Sequence, residues 1–297
     1  MTAQGSCQSG LRRGALYRRG ALYRRGALYR RGAPGAGALL LIALTSMPLL
    51  AQQPPPKAAG AAGHAAVPTA SARARAPFDP SGYWVSLITQ NWRYRMVVPA
   101  RGDYAGIPIN ARAKQFADAW SATADIAAGK QCEAYGAPGI MQIPERLQIS
   151  WQDDDTLRVD TDAGRQVRLL HFKHDPSAEK PAPTLQGYSA ARWQLFMLSN
   201  SFGAVDEASK GRRYGSLVVN TDDLLPGLLR KNGVPYGADT KMSEYWKLFG
   251  LGADQWLTIS TSVDDPEYLS GPYVYDSIFQ REAGASQRDP SPCSLMS

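Results

Sequence analysis

Apolar and polar positions alternate through residues 146–172. Leu147, Ile149 and Trp151 are spaced by single polar residues, as are Leu157 and Val159, and then Val167 and Leu169. A period of two predicts three half-buried strands. Between them, residues 152–155 (Gln-Asp-Asp-Asp) and 162–164 (Asp-Ala-Gly) have the length and chemistry of hairpin connections. Strand-like runs recur at residues 85–89 and 94–98 before this meander. After it they return at 187–193, 216–221, 241–249, 255–263 and 273–279. One helix is predicted over 111–120, capped by Asn110, with Phe116 and Trp120 on the face turned to the sheet. Ser121 caps a further turn that ends near Gly129. Residues 175–184, 199–213 and 224–236 read as loops, and 282–297 as a frayed tail apart from Cys293. Many strands, one or two short helices and no βαβ rhythm predict a mainly β, antiparallel barrel or sandwich. A barrel is favoured because closure removes exposed edges.

Composition changes the picture at the N terminus. The chain of 297 residues carries a formal net charge of +7, but 11 of its 33 Lys and Arg precede Pro77, where Asp and Glu are absent. The remainder holds 22 basic against 26 acidic residues and is mildly acidic. That argues against a phosphate-binding surface, so no nucleic-acid partner is expected. Residues 12–29 repeat the hexapeptide RRGALY, and an apolar stretch at 37–51 ends on Ala51. A basic region, a short apolar run and a small terminal residue predict a secretory signal peptide over 1–51. It predicts a periplasmic or secreted protein with no membrane partner once the leader is removed. Residues 52–76, rich in Pro and Ala and including His64, read as a disordered linker. A single domain is expected over 77–282 and a tail over 283–297. Removal of the leader takes Cys7 with it and leaves Cys132 and Cys293, for which a disulfide is expected in an oxidising compartment.

An ordered set of short motifs carries a resemblance. It runs from Gly82-Tyr83-Trp84 through Cys132, Gly136 and Pro138 to Gly187-Tyr188-Ser189 and Arg192-Trp193. It continues through residues 215–221 (GSLVVNT), Ser243-Glu244-Tyr245-Trp246 and residues 264–268 (DDPEY), with Pro272-Tyr273. The set resembles a broad family of secreted bacterial lipocalin-like proteins of unknown function. The resemblance implies a lipocalin-like β-barrel and brings no activity. It also implies that Trp84, after Gly82, packs at a closed barrel end beneath Arg281.

Candidate chemistry is sparse. His171 and His174 are three apart but lack the third ligand of a catalytic zinc site, and no metal or other cofactor is expected. Asp153-Asp154-Asp155 and Asp264-Asp265-Pro266 read as turns. No nucleophile elbow, P-loop or dinucleotide fingerprint occurs over 77–282. Trp92, Arg93 and Arg95 mix aromatic and cationic groups, either as a surface cation–π pair or as a ligand rim. Trp92, Arg168, Tyr188, Trp193, Glu244 and Trp246 are the candidate ligand-binding residues, on or beside strands. Gly82, Trp84, Cys132 and Cys293 are the structural ones. Three readings stay open: a barrel that binds a small, partly apolar molecule, an extracytoplasmic hydrolase or isomerase centred on His171, and a cavity-free interaction module.

Overall fold

The computed structural model describes residues 70–173, 181–196, 214–252 and 254–295. The chain divides into units Met1–His64 and Ala65–Ser297. The second unit alone is treated below. The repeat, the expected leader, residues 52–69 of the expected linker, His174 and the loop expected at 199–213 lie outside the described residues.

Nine strands close into a barrel. They are β1 (Gly82–Leu87), β2 (Arg146–Asp153), β3 (Thr156–Thr161), β4 (Val167–His171), β5 (Tyr188–Phe196) and β6 (Tyr214–Asp222). A two-stranded hairpin, β7 (Gly227–Arg230) and β8 (Val234–Tyr236), stands outside it. Then β9 (Lys241–Leu251), β10 (Asp254–Asp264) and β11 (Tyr273–Glu282) complete the circle, with β11 pairing back onto β1. The mainly β barrel expected from the sequence is therefore present.

The sheet is mixed rather than wholly antiparallel, because β4 and β5 run parallel. That seam holds only the pairs Leu170↔Ser189 and His171↔Ala190. A parallel pair cannot be joined by a tight hairpin, so β4 and β5 need a longer connection.

The alternation of β2 and β3 places Leu147, Ile149, Leu157 and Val159 inside. In β4 the inward face differs from the one its apolar residues suggested. Arg168 and Leu170 are buried, whereas Val167 is exposed. Arg168 turns inward because its charge meets Glu244 across the lumen, and this pairing outweighs the local apolar pattern. Glu244 and Trp246 share that inner face of β9, leaving Tyr245 outside.

One end of the barrel is sealed by Trp84, whose indole donates to the Pro80 carbonyl at 3.0 Å. The Arg281 guanidinium lies 4.3 Å over the Trp84 ring. Gly82 is required beside this stack. Its φ is +135°, and an added Cβ would lie 2.2 Å from the Arg281 Nη1.

The opposite end is covered by short helical pieces. Residues 131–135 form a 3-10 turn. In chain order the helices are α1 (Ala72–Arg75), which sits instead on the β2–β3 turn at Asp154 and Asp155, and, over this end, α2 (Trp92–Met96), α3 (Ala111–Ala119), α4 (Ala122–Ala127) and α5 (Ala137–Ile140). Ile140 and Met141 are buried over the barrel mouth. There the Ser277 hydroxyl donates to the Met141 carbonyl at 2.7 Å and Tyr275 donates to the Pro138 carbonyl at 2.9 Å.

Four local expectations change. Residues 94–98 do not extend a strand; α2 occupies 92–96, since a helical turn lets Arg95 reach the carbonyls of Met141 and Gln142. Residues 224–236 form the β7–β8 hairpin, turned at Asn232 and Gly233. Asn110 does cap α3, accepting from the Ala113 amide at 2.9 Å. The buried face of that helix, however, is Ala113 and Ala117, whose small side chains let it lie on β8, while Phe116 remains exposed against Tyr268. The tail is held rather than frayed. The Asp162 carboxylate accepts from Arg288 and from the Asp289 amide, and Leu295 is buried. Cys132 and Cys293 form a disulfide that ties this tail to the 3-10 turn.

Order also begins ahead of the expected domain start. The α1 residue Ala72 is buried, donates from its amide to Asp155, and accepts at its carbonyl from the Trp193 indole at 2.8 Å.

Candidate functional site

The barrel lumen is occupied by its own side chains. Trp84, Trp246, Phe279, Leu147 and Ile149 are buried there, together with an ion pair. Arg168 and Glu244 form a two-point pair at 2.6 and 3.0 Å, with exposures of 2% and 0%. Arg168 also donates to Ser189 at 3.2 Å and to Thr221 at 2.8 Å. One guanidinium on β4 thus links β5, β6 and β9 across the parallel seam.

The other residues singled out by sequence sit elsewhere. Tyr188 stacks on His171, ring centroids 5.0 Å apart, on the outer face beside the seam. Trp193 packs with Phe78 and Phe172. Trp92 is exposed on α2. Of the six candidates, Arg168, Glu244 and Trp246 come together in the lumen, and the remaining three stand apart from them.

His171 is half-buried, and burial lowers its basicity, opposed by Asp153. Among the described residues no acid or nucleophile lies within its hydrogen-bond reach, which a hydrolytic site there would require. Asp155 is engaged by Lys173 and the Ala72 amide. Asp265 organises a turn, accepting from the Gly237, Glu267 and Tyr268 amides and the Thr240 hydroxyl.

The cavity best suited to a ligand lies at the barrel end opposite Trp84. Strand β11 fixes the direction: Arg281 stacks on Trp84 near one terminus, and Tyr273 at the other terminus borders the cavity. It holds ≈ 310 Å³, at the small end of the range for small-molecule sites. Met96, Val98, Ile143 and Leu229 supply apolar wall. Tyr94, Arg95, Arg230, Lys231 and Tyr273 supply the polar groups.

Each cation is positioned by a different element. Arg95, on α2, donates to the Gln142 carbonyl at 2.8 Å. Arg230, at the end of β7, donates to the Ala105 carbonyl at 3.1 Å and lies 4.7 Å from the Tyr94 ring. Lys231, in the hairpin turn, has its ammonium 4.9 Å from the Tyr135 ring. Hairpin and cap are pressed together at Gly139, where an added Cβ would meet the Leu229 carbonyl at 2.9 Å.

Arg95 and Arg230 form no salt bridge among the described residues. Burial disfavours the charge of both and lowers their pKa values; nearby tyrosines oppose the shift, as do Glu145 for Arg95 and Asp103 for Arg230, and Arg230 also hydrogen-bonds Tyr273. Burial raises the Tyr273 pKa, against the pull of Arg230. A cavity lined by partly desolvated cations, with no acid on its wall among the described residues, is suited to an anion.

Glu145 adjoins this wall beyond Pro144. Both of its carboxyl oxygens are buried. Burial pushes its pKa well above the ordinary carboxylate range, and Asp162 adds to this; the Ala163 amide, Arg288 and Arg95 pull the other way. A folded-state pKa above the unfolded one means that the folded protein binds the extra proton. Stability is then lost as pH climbs from about 4.3, the ordinary Glu value, through the raised one. Glu145→Gln, which keeps the neutral shape, is expected to match the parent near pH 4 and to be more stable at pH 8. Urea unfolding at the two pH values checks this, and an equal or lower midpoint for the variant at pH 8 would count against it.

No protein-family model, curated protein or solved structure matches this chain.

Of the cavity residues, Arg95 was within view of the sequence, beside Trp92 and Arg93. Arg230, Lys231 and Tyr273 were missed. Their available signal was two adjacent cations leading into Asn232-Gly233, a turn dipeptide able to present them from a hairpin.

Proposed function

We propose that the protein is an exported binding protein for a small amphiphilic anion, held in the end cavity rather than in the barrel lumen. The observation that carries this reading is the convergence of Arg95, Arg230 and Lys231 on one partly apolar cavity whose wall, among the described residues, has no acidic side chain. A carboxylate or phosphate head would meet the guanidinium groups and the Tyr273 hydroxyl. A short apolar body would lie against Met96, Val98, Ile143 and Leu229. The disulfide supports an oxidising compartment. The resemblance to secreted lipocalin-like proteins supports the same placement.

The test is calorimetric titration with decanoate and with decyltrimethylammonium, which share a chain and differ in head charge. Decanoate is expected to bind and the cation to fail. Arg230→Ala and Arg95→Ala should each weaken decanoate binding roughly tenfold or more, as a hydrogen bond to a charged group is worth about 1.5–3 kcal/mol. Equal binding of the two amphiphiles, or parental affinity in both variants, would refute the proposal.

A further inference from the structure

The mouth of the cavity carries an apolar lip. Trp92, Met96 and Val97 are exposed by 66%, 58% and 67%. Trp92 and Met96 are four apart on α2 and so share one side of it. Met96 also lines the cavity, which makes lip and cavity continuous. Three large apolar groups in one short stretch oppose water contact, and such patches mark interaction surfaces.

The charges around this lip have one prevailing sign. Arg93 is exposed and pairs with Asp103 at 2.5 Å, so the two cancel. Arg95 and Arg230 face the cavity without a salt bridge among the described residues, and Lys231 lies beside them. Arg101, two residues past the cavity-lining Pro99, is exposed and donates to the Trp120 carbonyl. The result is an exposed Trp with aliphatic neighbours set against a cationic hollow.

From these observations we infer that the Trp92–Met96–Val97 lip docks on an anionic membrane surface, with the cavity opening towards the lipid headgroups. Indole rings favour the headgroup level, and aliphatic neighbours enter the acyl boundary beneath it. Each Lys or Arg near an anionic leaflet adds to the attraction, which is confined to about a Debye length. The cations thus supply complementarity to anionic lipid heads, while the lip supplies the apolar anchor. This contact departs from the expectation of no membrane partner once the leader is removed. It deepens the anion-binding reading by naming a lipid surface as the source of the ligand, yet the two fail separately, since a water-soluble probe tests the cavity alone.

The basic leader of the full chain can adhere to anionic vesicles unaided, so sedimentation alone would be ambiguous. Tryptophan fluorescence avoids this, because the first Trp of the chain is Trp84. The full chain is mixed with vesicles of phosphatidylcholine and phosphatidylglycerol bearing brominated acyl chains, which quench indoles within the bilayer. Quenching is expected with these vesicles and not with brominated phosphatidylcholine alone, and added salt should weaken it. In Trp92→Phe the emission should return close to that seen with bromine-free vesicles, while decanoate binding in solution is retained. Absence of quenching, or quenching at parental strength in Trp92→Phe, overturns the inference. Self-association by light scattering that Trp92→Ser with Val97→Ser abolishes also overturns it, and assigns the lip to a second copy of the chain. Loss of decanoate binding with quenching intact would strike the cavity reading and spare the membrane contact.

Discussion

Replacing Glu244 by Gln is expected to destabilise the fold by about 3–5 kcal/mol, the usual penalty for removing one member of a buried ion pair. The substitution preserves size and leaves the Arg168 guanidinium buried without its counter-charge. Ser189 and Thr221 remain as neutral partners, but hydroxyl dipoles cannot replace a carboxylate that accepts at 2.6 and 3.0 Å. The location sharpens the effect. Arg168 extends from β4 to partners on β5, β6 and β9, while the β4–β5 seam itself contains only two paired positions. Joint replacement, Arg168→Met with Glu244→Leu, should recover much of the loss, because it removes both charges and refills the space with apolar atoms. Guanidinium unfolding midpoints decide the matter. A loss below about 1 kcal/mol in Glu244→Gln, the worth of an ordinary neutral hydrogen bond, would show that the pair contributes little.

Conversion of Cys132 and Cys293 together to Ser is expected to cost about 2–5 kcal/mol, as loss of a native disulfide commonly does. The bridge joins positions separated by 161 residues, so it withdraws much freedom from the unfolded chain. Its consequences in the folded state should be local. Arg288 still meets Asp162, and the Ser294 amide still donates to the Tyr135 hydroxyl at 2.8 Å. The tail should therefore become easier for trypsin to cut at Arg288, while strand content by circular dichroism is unchanged. Parental resistance to trypsin together with a parental unfolding midpoint would overturn this expectation.

The barrel was legible where burial and periodicity agree. Leu147, Ile149, Leu157 and Val159 alternate and are buried, so β2 and β3 could be read from spacing alone. β4 could not, because its inward residue is a cation whose counter-charge lies 76 positions away on β9. The same holds for α2. Tyr94, Met96 and Val98 alternate as in a strand, but the chain coils so that Arg95 can reach carbonyls at Met141 and Gln142. The β7–β8 hairpin is short, and its strands pack on the cap instead of joining the barrel, so no long apolar period announces it. Short-range pattern thus delivered the frame, and long-range polar pairing decided the exceptions. The cavity belongs to the exceptions, since its walls come from five separate stretches of chain.

The count of barrel strands carries a topological consequence. Around a closed ring, neighbours can all point in opposite directions only if their number is even. This ring contains nine, so two adjacent members must share a direction whatever their side chains. The mismatch falls between β4 and β5. Gain or loss of one strand would restore parity, and every joint could then be a hairpin or a simple return.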